Sequence, residues 1–382
     1  MSNPILYTGL LLACLLGSWV SDSSSQTFPD AHNPPIAGWT GPVFRLRQDY
    51  PSTPPPAENY PWKQFNFRTQ SLDYLRAVLN YAYEGNIEVD WEVQKNTQRG
   101  WYHAPWLHFG NAGREFVHGM TRERSSRPRE LHPQQSDFAS NYAVSVYNPP
   151  GGHIIGQVWN DPDNPNPALA RFPDGTVAIK LLFTQATVPQ VPFLRNSHEW
   201  QGHLNSGGAS RSIQTARLLQ IDVAVRDTRA NTTTGWVFGT FAYDGDAPGS
   251  TPWERMVPVG LMWGNDPTLT PTRFNNGSRP TQTFINPAVR TPQHLGWLRR
   301  LNGPVDNPRS SCLSCHSTGQ HEPRSAPLPP TNISDTAKMR WFRNIRAGTP
   351  FDAGQTSLDY SLQLAVGIEN FFRATQPGRI TR

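Results

Sequence analysis

Two cysteines, Cys312 and Cys315, stand three residues apart and are followed at once by His316, in the run Ser311-Cys312-Leu313-Ser314-Cys315-His316. On an incipient helix this spacing brings two thiols within reach of the two vinyl groups of one porphyrin and sets the histidine beneath its metal. C-x-x-C-H is the pattern of covalent haem c attachment. It predicts Cys312 and Cys315 as thioether residues, His316 as the axial iron ligand, and one haem c per chain. Two other uses of C-x-x-C remain open on chemistry alone. A redox dithiol leaves His316 idle. A zinc site needs two further ligands at matching spacing, and no cysteine follows Cys315.

Other residues of the right type are less ordered in sequence. His103, His108, Glu115 and His118 lie in an aromatic-rich stretch, where they either converge on a site or serve as hydrogen-bonded residues of an irregular layer. His198-Glu199-Trp200-Gln201-Gly202-His203 resembles a zinc-hydrolase motif at a glance. Its histidines are five apart, however, which puts them on different helix faces, and Gly202 weakens a helix further. Lys180 sits in the middle of an apolar strand, Val177-Ala178-Ile179-Lys180-Leu181-Leu182-Phe183. Burying an unpaired ammonium is costly. Strand alternation offers it a half-exposed face beside Ala178 and Leu182, opposite Val177, Ile179 and Leu181.

The elements that must hold these residues follow from composition. With 382 residues the chain can bury a large core, and 37 Pro, 30 Gly and 13 Trp beside only 16% charged residues favour strands, turns and ordered loops over a helical bundle. The expected fold class is mainly β (α+β): an antiparallel sheet with an N-terminal helical or irregular segment and C-terminal helices. Strands are predicted at 142–147, 176–183, 218–226 and 236–243, split by the turn-forming stretches 149–152, 173–175 and 231–235. A helix is predicted over 71–84, with Ser71 as its cap and Gly85 as its stop. Two more are expected after the motif, over 334–347 and 358–372. The first of these carries Lys338, Arg340, Arg343 and Arg346, either a solvated face or a docking surface for an acidic redox partner.

Four segments result. Residues 1–25 read as an export signal, with an apolar run over 5–20 that is short for a membrane span. Cys14, in Leu11-Leu12-Ala13-Cys14, resembles a lipoprotein box, so ordinary cleavage and lipid anchoring are both open. Residues 26–140 form a Pro- and aromatic-rich segment, 141–320 a β-rich haem c domain, and 321–382 a helical extension. A net charge of +5, with no basic tail, gives no indication of nucleic-acid binding. The expected location is periplasmic or secreted, with membrane contact only through a lipid anchor.

The order Phe172-Pro173-Asp174-Gly175-Thr176-Val177, Ile179-Lys180-Leu181, Ile221-Asp222-Val223-Ala224-Val225-Arg226-Asp227, Gly235-Trp236-Val237-Phe238-Gly239-Thr240-Phe241 and finally Cys312 to His316 resembles the cytochrome P-460 family. It is also similar to the related β-sheet cytochromes c-prime, over roughly 141–320. The resemblance implies an antiparallel fold against the haem, His316 as proximal ligand and an open distal position. Lys180 falls where P-460 members carry the lysine bonded to the porphyrin edge. Those members oxidise hydroxylamine, and relatives without the cross-link bind gases such as nitric oxide. The family's distal acid has no motif match here, and Glu254 is the candidate, against a surface ion pair with Arg255. The chain departs from the family in the long segment before the sheet and in residues 317–382 after the motif.

The rival is an electron-transfer cytochrome serving a partner protein. It requires a sixth ligand: His321 is too close in sequence to reach the opposite haem face easily and Met339 follows only a short distance beyond His316 in a helical segment, which leaves Met256, Met262 or an N-terminal histidine.

Overall fold

Alternation of large apolar residues with small or polar ones, as in Ile221-Asp222-Val223-Ala224-Val225-Arg226, gives a strand two unlike faces, and successive strands here keep that alternation in register. A computed structural model describes residues 28, 37–41, 46–107, 114–205, 210–289, 295–322 and 325–376. Residues 1–25, expected to be an export signal and including Cys14, and His108 lie outside the described residues.

Eight strands form one antiparallel sheet: β1 (Thr121–Arg122), β2 (Asn141–Tyr147), β3 (Val177–Thr184), β4 (Glu199–Asn205), β5 (Arg211–Arg226), β6 (Trp236–Tyr243), β7 (Met256–Met262) and β8 (Thr283–Ile285). Their order is β1-β2-β3-β5-β6-β7-β8, and β4 pairs with the first half of the long β5. A two-stranded ribbon joins β9 (Gln320–His321) to β10 (Thr356–Ser357). Helices are few and short: α1 (Ser71–Tyr83), α2 (Pro149–Val158), α3 (Pro271–Asn275), α4 (Cys312–His316), α5 (Asp335–Lys338) and α6 (Leu362–Thr375). The protein is mainly β, of the α+β type.

Each sheet face has its own main cover. On the first, Leu75, Val78, Leu79 and Ala82 of α1, with Trp62, Phe67 and Trp101, pack on Val177, Ile179, Leu181, Ile221, Val223 and Val225. Gly239 on β6 has no side chain, which lets Leu75 approach the strand closely. On the second face, Phe238, Val259 and Met262 meet Leu313 of α4, then Leu358, Tyr360, Leu364 and Ile368 from the C-terminal segment.

Several sequence expectations change in detail. Residues 149–152 are not a turn but the start of α2, because Pro149 occupies its first position and the Asn148 side chain caps it by accepting from Gly151 N. Ser71 is not the cap of α1: it is the first helical residue, and its hydroxyl donates to Phe67 O at 2.8 Å. The helix expected over 334–347 is only α5 plus one 3₁₀ turn, Met339–Phe342. The chain leaves helix at Arg343 so that Trp341, Phe342, Ile345 and Phe351 can form a small cluster of their own. The basic side is therefore not a continuous face. Lys338 pairs with Asp335, Arg340 with Asp352, and Arg343 donates to Phe351 O. No helix among the described residues is long and apolar enough to cross a membrane.

Asp227 ties the N-terminal segment to the end of β5. Its fully buried carboxylate accepts from Arg229, from Lys63 and from the Tyr74 hydroxyl of α1. Burial works against its charge, but the hydrogen bonds from Arg229 and the charges of Lys63 and Arg229 outweigh that, so its pKa is lowered. Asp227→Ala should cost about 2–3 kcal/mol at pH 7 in denaturant unfolding, after allowance for the partly exposed Arg229. The stabilisation is present above the unfolded carboxyl pKa of about 3.9 and lost as pH falls through the lowered folded value. The gap between wild type and variant should therefore close in strong acid. A gap unchanged there would show that the charge plays no part.

Candidate functional site

Helix α4 begins with a capping box. Ser311 Oγ accepts from Ser314 N, and Ser314 Oγ accepts from Ser311 N, while Ser311 Oγ also donates to Asn265 Oδ1 at 2.9 Å. Leu313, fully buried, anchors the helix in the core. Five residues would be marginal as a free helix; the cap and anchor fix this one. They also fix its orientation, because Leu313 and Ser314 are buried whereas Cys312, Cys315 and His316 each keep accessible surface. The three residues that carry the motif's chemistry thus look the same way. Both cysteines are free thiols.

His316 is held from behind. Its Nδ1 lies 3.0 Å from Tyr360 O. A carbonyl only accepts, so Nδ1 carries the hydrogen and Nε2 keeps its lone pair for a ligand. Phe238 flanks the ring at 4.7 Å between centroids. Burial, and then the charge of Lys180, push the imidazole pKa down to about 4, so the ring is neutral at pH 7. Burial, and then Asp306, push the Cys315 thiol up to about 12, and Cys312 is raised for the same reasons. Near pH 7 both are protonated thiols.

Opposite the motif the sheet presents a polar row set by strand register. Ser145 on β2 faces Lys180 on β3, Lys180 faces Asp222 on β5, Asp222 faces Thr240 on β6, and Thr240 faces Gly260 on β7. Lys180 Nζ lies 3.1 Å from Asp222 Oδ2, and Thr240 Oγ1 donates to Asp222 Oδ1 at 2.9 Å. Thr240 Oγ1 is also 4.0 Å from Cys312 Sγ, which joins the row to the motif. Gln220 Nε2 donates to both oxygens of Asp222 at 2.8 Å and reaches Asp306 Oδ2 at 3.3 Å. Lys180 and Asp222 retain 27% and 19% side-chain exposure, so they line a cleft that solvent reaches and not a sealed core.

The electrostatics of the cleft follow from its census: Lys180 with Asp222, Asp306 and Glu123. Burial opposes the lysine's charge, but Asp222, then Asp306 and Glu123, outweigh it and raise its pKa. Burial raises Asp222 and Glu123; the charge of Lys180 offsets part of this, and that of Asp306 adds to it. The charged forms of Asp222 and Glu123 are thereby disfavoured.

The remaining sequence candidates go elsewhere. Glu254 is on an exposed loop, where its carboxylate accepts from Ser250 and Thr251; it is not in the cleft. His103 Nδ1 accepts from Arg47 N, Glu115 pairs with Arg211, and His118 bonds Asp90 O and stacks on Trp200 at 3.7 Å. They form no metal-holding group among the described residues. His203 lies on β4, and His198, just before it, pairs with Asp90. Of the sixth-ligand candidates, Met256 packs in the core of the opposite sheet face, Met339 sits beside the Trp341 cluster, Met262 is fully buried under Phe238, and His321 packs on Phe372. Sequence reasoning missed Asp306, Glu123 and Gln220, which have no motif, and the Tyr360 carbonyl, which no side-chain pattern encodes. Asp222 and Thr240 stood in view within the strands, but only register reveals that they meet.

No protein-family model, curated protein or solved structure matches the chain.

The placement of His316 has a direct check. In the full chain carrying Cys312→Ala and Cys315→Ala, ¹⁵N NMR near pH 7 should find His316 neutral and in its Nδ1–H tautomer. A majority of the Nε2–H form would contradict the bond to Tyr360. Because the folded pKa lies below the ordinary value of about 6.5, the unfolded chain takes the proton first. His316 therefore withdraws stability as pH falls from about 6.5 towards 4.

Proposed function

We propose that the chain is an exported monohaem c-type cytochrome that acts on a small nitrogen-oxide ligand, by oxidation of hydroxylamine or by binding and turnover of nitric oxide. In this reading Cys312 and Cys315 hold one haem c through thioether bonds and His316 Nε2 is its axial ligand. The observation that carries it is the shared outlook of Cys312, Cys315 and His316 from α4 onto a cleft whose opposite wall is the Lys180–Asp222–Thr240 row. Two free thiols, and a histidine whose second nitrogen is spoken for, suit the group's attachment. When bound, the haem supplies one-electron chemistry at an iron, and the chain supplies positioning and protons.

The chain's own groups divide that work. Asp222, its carboxylate held by Gln220 and Thr240, takes up or releases a proton at the cleft wall. Lys180 keeps a positive charge within the carboxylates and limits their mutual repulsion. Its ammonium has no lone pair with which to bond a porphyrin carbon, so the ion pair favours this role over the cross-link that the resemblance implies. Thr240 fixes the Asp222 carboxylate against Cys312.

The test uses protein expressed with haem-maturation machinery. Hydroxylamine-dependent reduction of an electron acceptor, or turnover of nitric oxide, should fall about 10²-fold in Asp222→Asn. The reduced wild type should bind nitric oxide, and its Soret band should be unshifted in Lys180→Ala. A broad, red-shifted Soret band that reverts in Lys180→Ala would instead assign Lys180 the cross-link. A sharp six-coordinate spectrum, indifferent to nitric oxide and to Asp222→Asn, would overturn the proposed activity and leave electron transfer to a partner protein.

A further inference from the structure

The segment that supplies the Tyr360 carbonyl is bent in a way its sequence does not favour. Asp359 and Tyr360 both have positive φ, 49° and 69°, a conformation that is strained for L residues. Asp tolerates it better than most, Tyr poorly. Two such residues in succession delay α6, which the sequence suggests from 358, until Leu362. Something must hold the bend.

What holds it is the Asp359 side chain, 3% exposed. Its Oδ1 accepts from Trp236 Nε1 at 3.0 Å and from Gly348 N at 3.1 Å, and its Oδ2 accepts from Phe172 N at 2.9 Å. Three donors arrive from the head of β6, the chain before β3 and the loop after the Trp341 cluster. A carboxylate, which only accepts, satisfies all three; an amide has one accepting oxygen and meets the third donor with a donor. Asp359 N in turn donates to Ser357 Oγ at 3.1 Å, and the Tyr360 hydroxyl donates to Ile345 O at 2.5 Å. With both residues pinned, the Tyr360 carbonyl points at His316 Nδ1.

We infer that Asp359 is a positioning residue for the iron ligand: it fixes the Asp359–Tyr360 bend so that the Tyr360 carbonyl accepts from His316 Nδ1 and sets the donor strength of Nε2. The inference rests on the proposed role of His316. A hydrogen bond from Nδ1 makes the other nitrogen a stronger donor and favours the oxidised metal, as outer-shell partners of ligating histidines do elsewhere. The C-terminal extension thereby acquires a purpose: it is the back wall of the site.

The experiment measures the reduction potential and the iron–histidine stretching frequency, by resonance Raman of the ferrous protein, in the matured full chain. Asp359→Ala should shift the reduction equilibrium about tenfold towards the reduced form, ~59 mV for one electron, and lower the stretching frequency. Asp359→Asn keeps the tolerance for positive φ and the Trp236 and Gly348 bonds, and should give a smaller shift of the same sign. Trp236→Phe, which removes one donor and leaves the motif intact, should do likewise. Unchanged potential and frequency in folded variants with covalent haem attached would overturn the inference and leave the cytochrome reading standing. Absence of covalent haem from the wild type would overturn both.

Discussion

An ammonium and a carboxylate 3.1 Å apart in the middle of a sheet face cannot be closed into an apolar core without further polar partners, and the second face of this sheet is arranged around that constraint. Lys180 and Asp222 are directly opposed across β3 and β5, and Thr240, Gln220 and Asp306 satisfy what the ion pair leaves over. Apolar packing resumes on either side, through Phe238, Met262 and Leu313. Between the polar row and α4 a cleft remains, and the motif looks into it. The first face, which has no such burden, is a continuous aromatic and aliphatic core.

The two ends of the chain, which read in sequence as additions to a β domain, do different physical work. The N-terminal segment supplies the layer over the first face and is tied down through Lys63 and Tyr74 to Asp227. The C-terminal segment covers the second face, and through Tyr360 it touches His316 itself. Neither is a separable appendage: remove the first and half the sheet core is exposed, remove the second and the histidine loses its backing.

The motif, the lysine in its strand and the alternation of the strand over 218–226 were legible because each depends on residue type at short spacing. Ile221, Val223 and Val225 are buried and Asp222, Ala224 and Arg226 less so, as period two requires. Register was not legible. Lys180 meets Asp222 across strands that are far apart in sequence, and only pairing brings them together. Strand β4 was hidden by His203 and Gly202 within it and His198 just before it, which invite comparison with a helix motif. The helix expected over 334–347 failed because Trp341, Phe342 and Ile345 gain more from their own cluster than from a continued helix. The backing of His316 was invisible for a simpler reason, since it is a backbone carbonyl placed by a strained turn.

The central claim is that this cleft holds a covalently attached haem c, and the intact mass of the matured protein tests it most directly. The account predicts a mass gain of one haem in the wild type, surviving denaturation, and its loss when both Cys312 and Cys315 are replaced by alanine. A wild-type chain that carries no added haem mass after expression with the attachment machinery would contradict it.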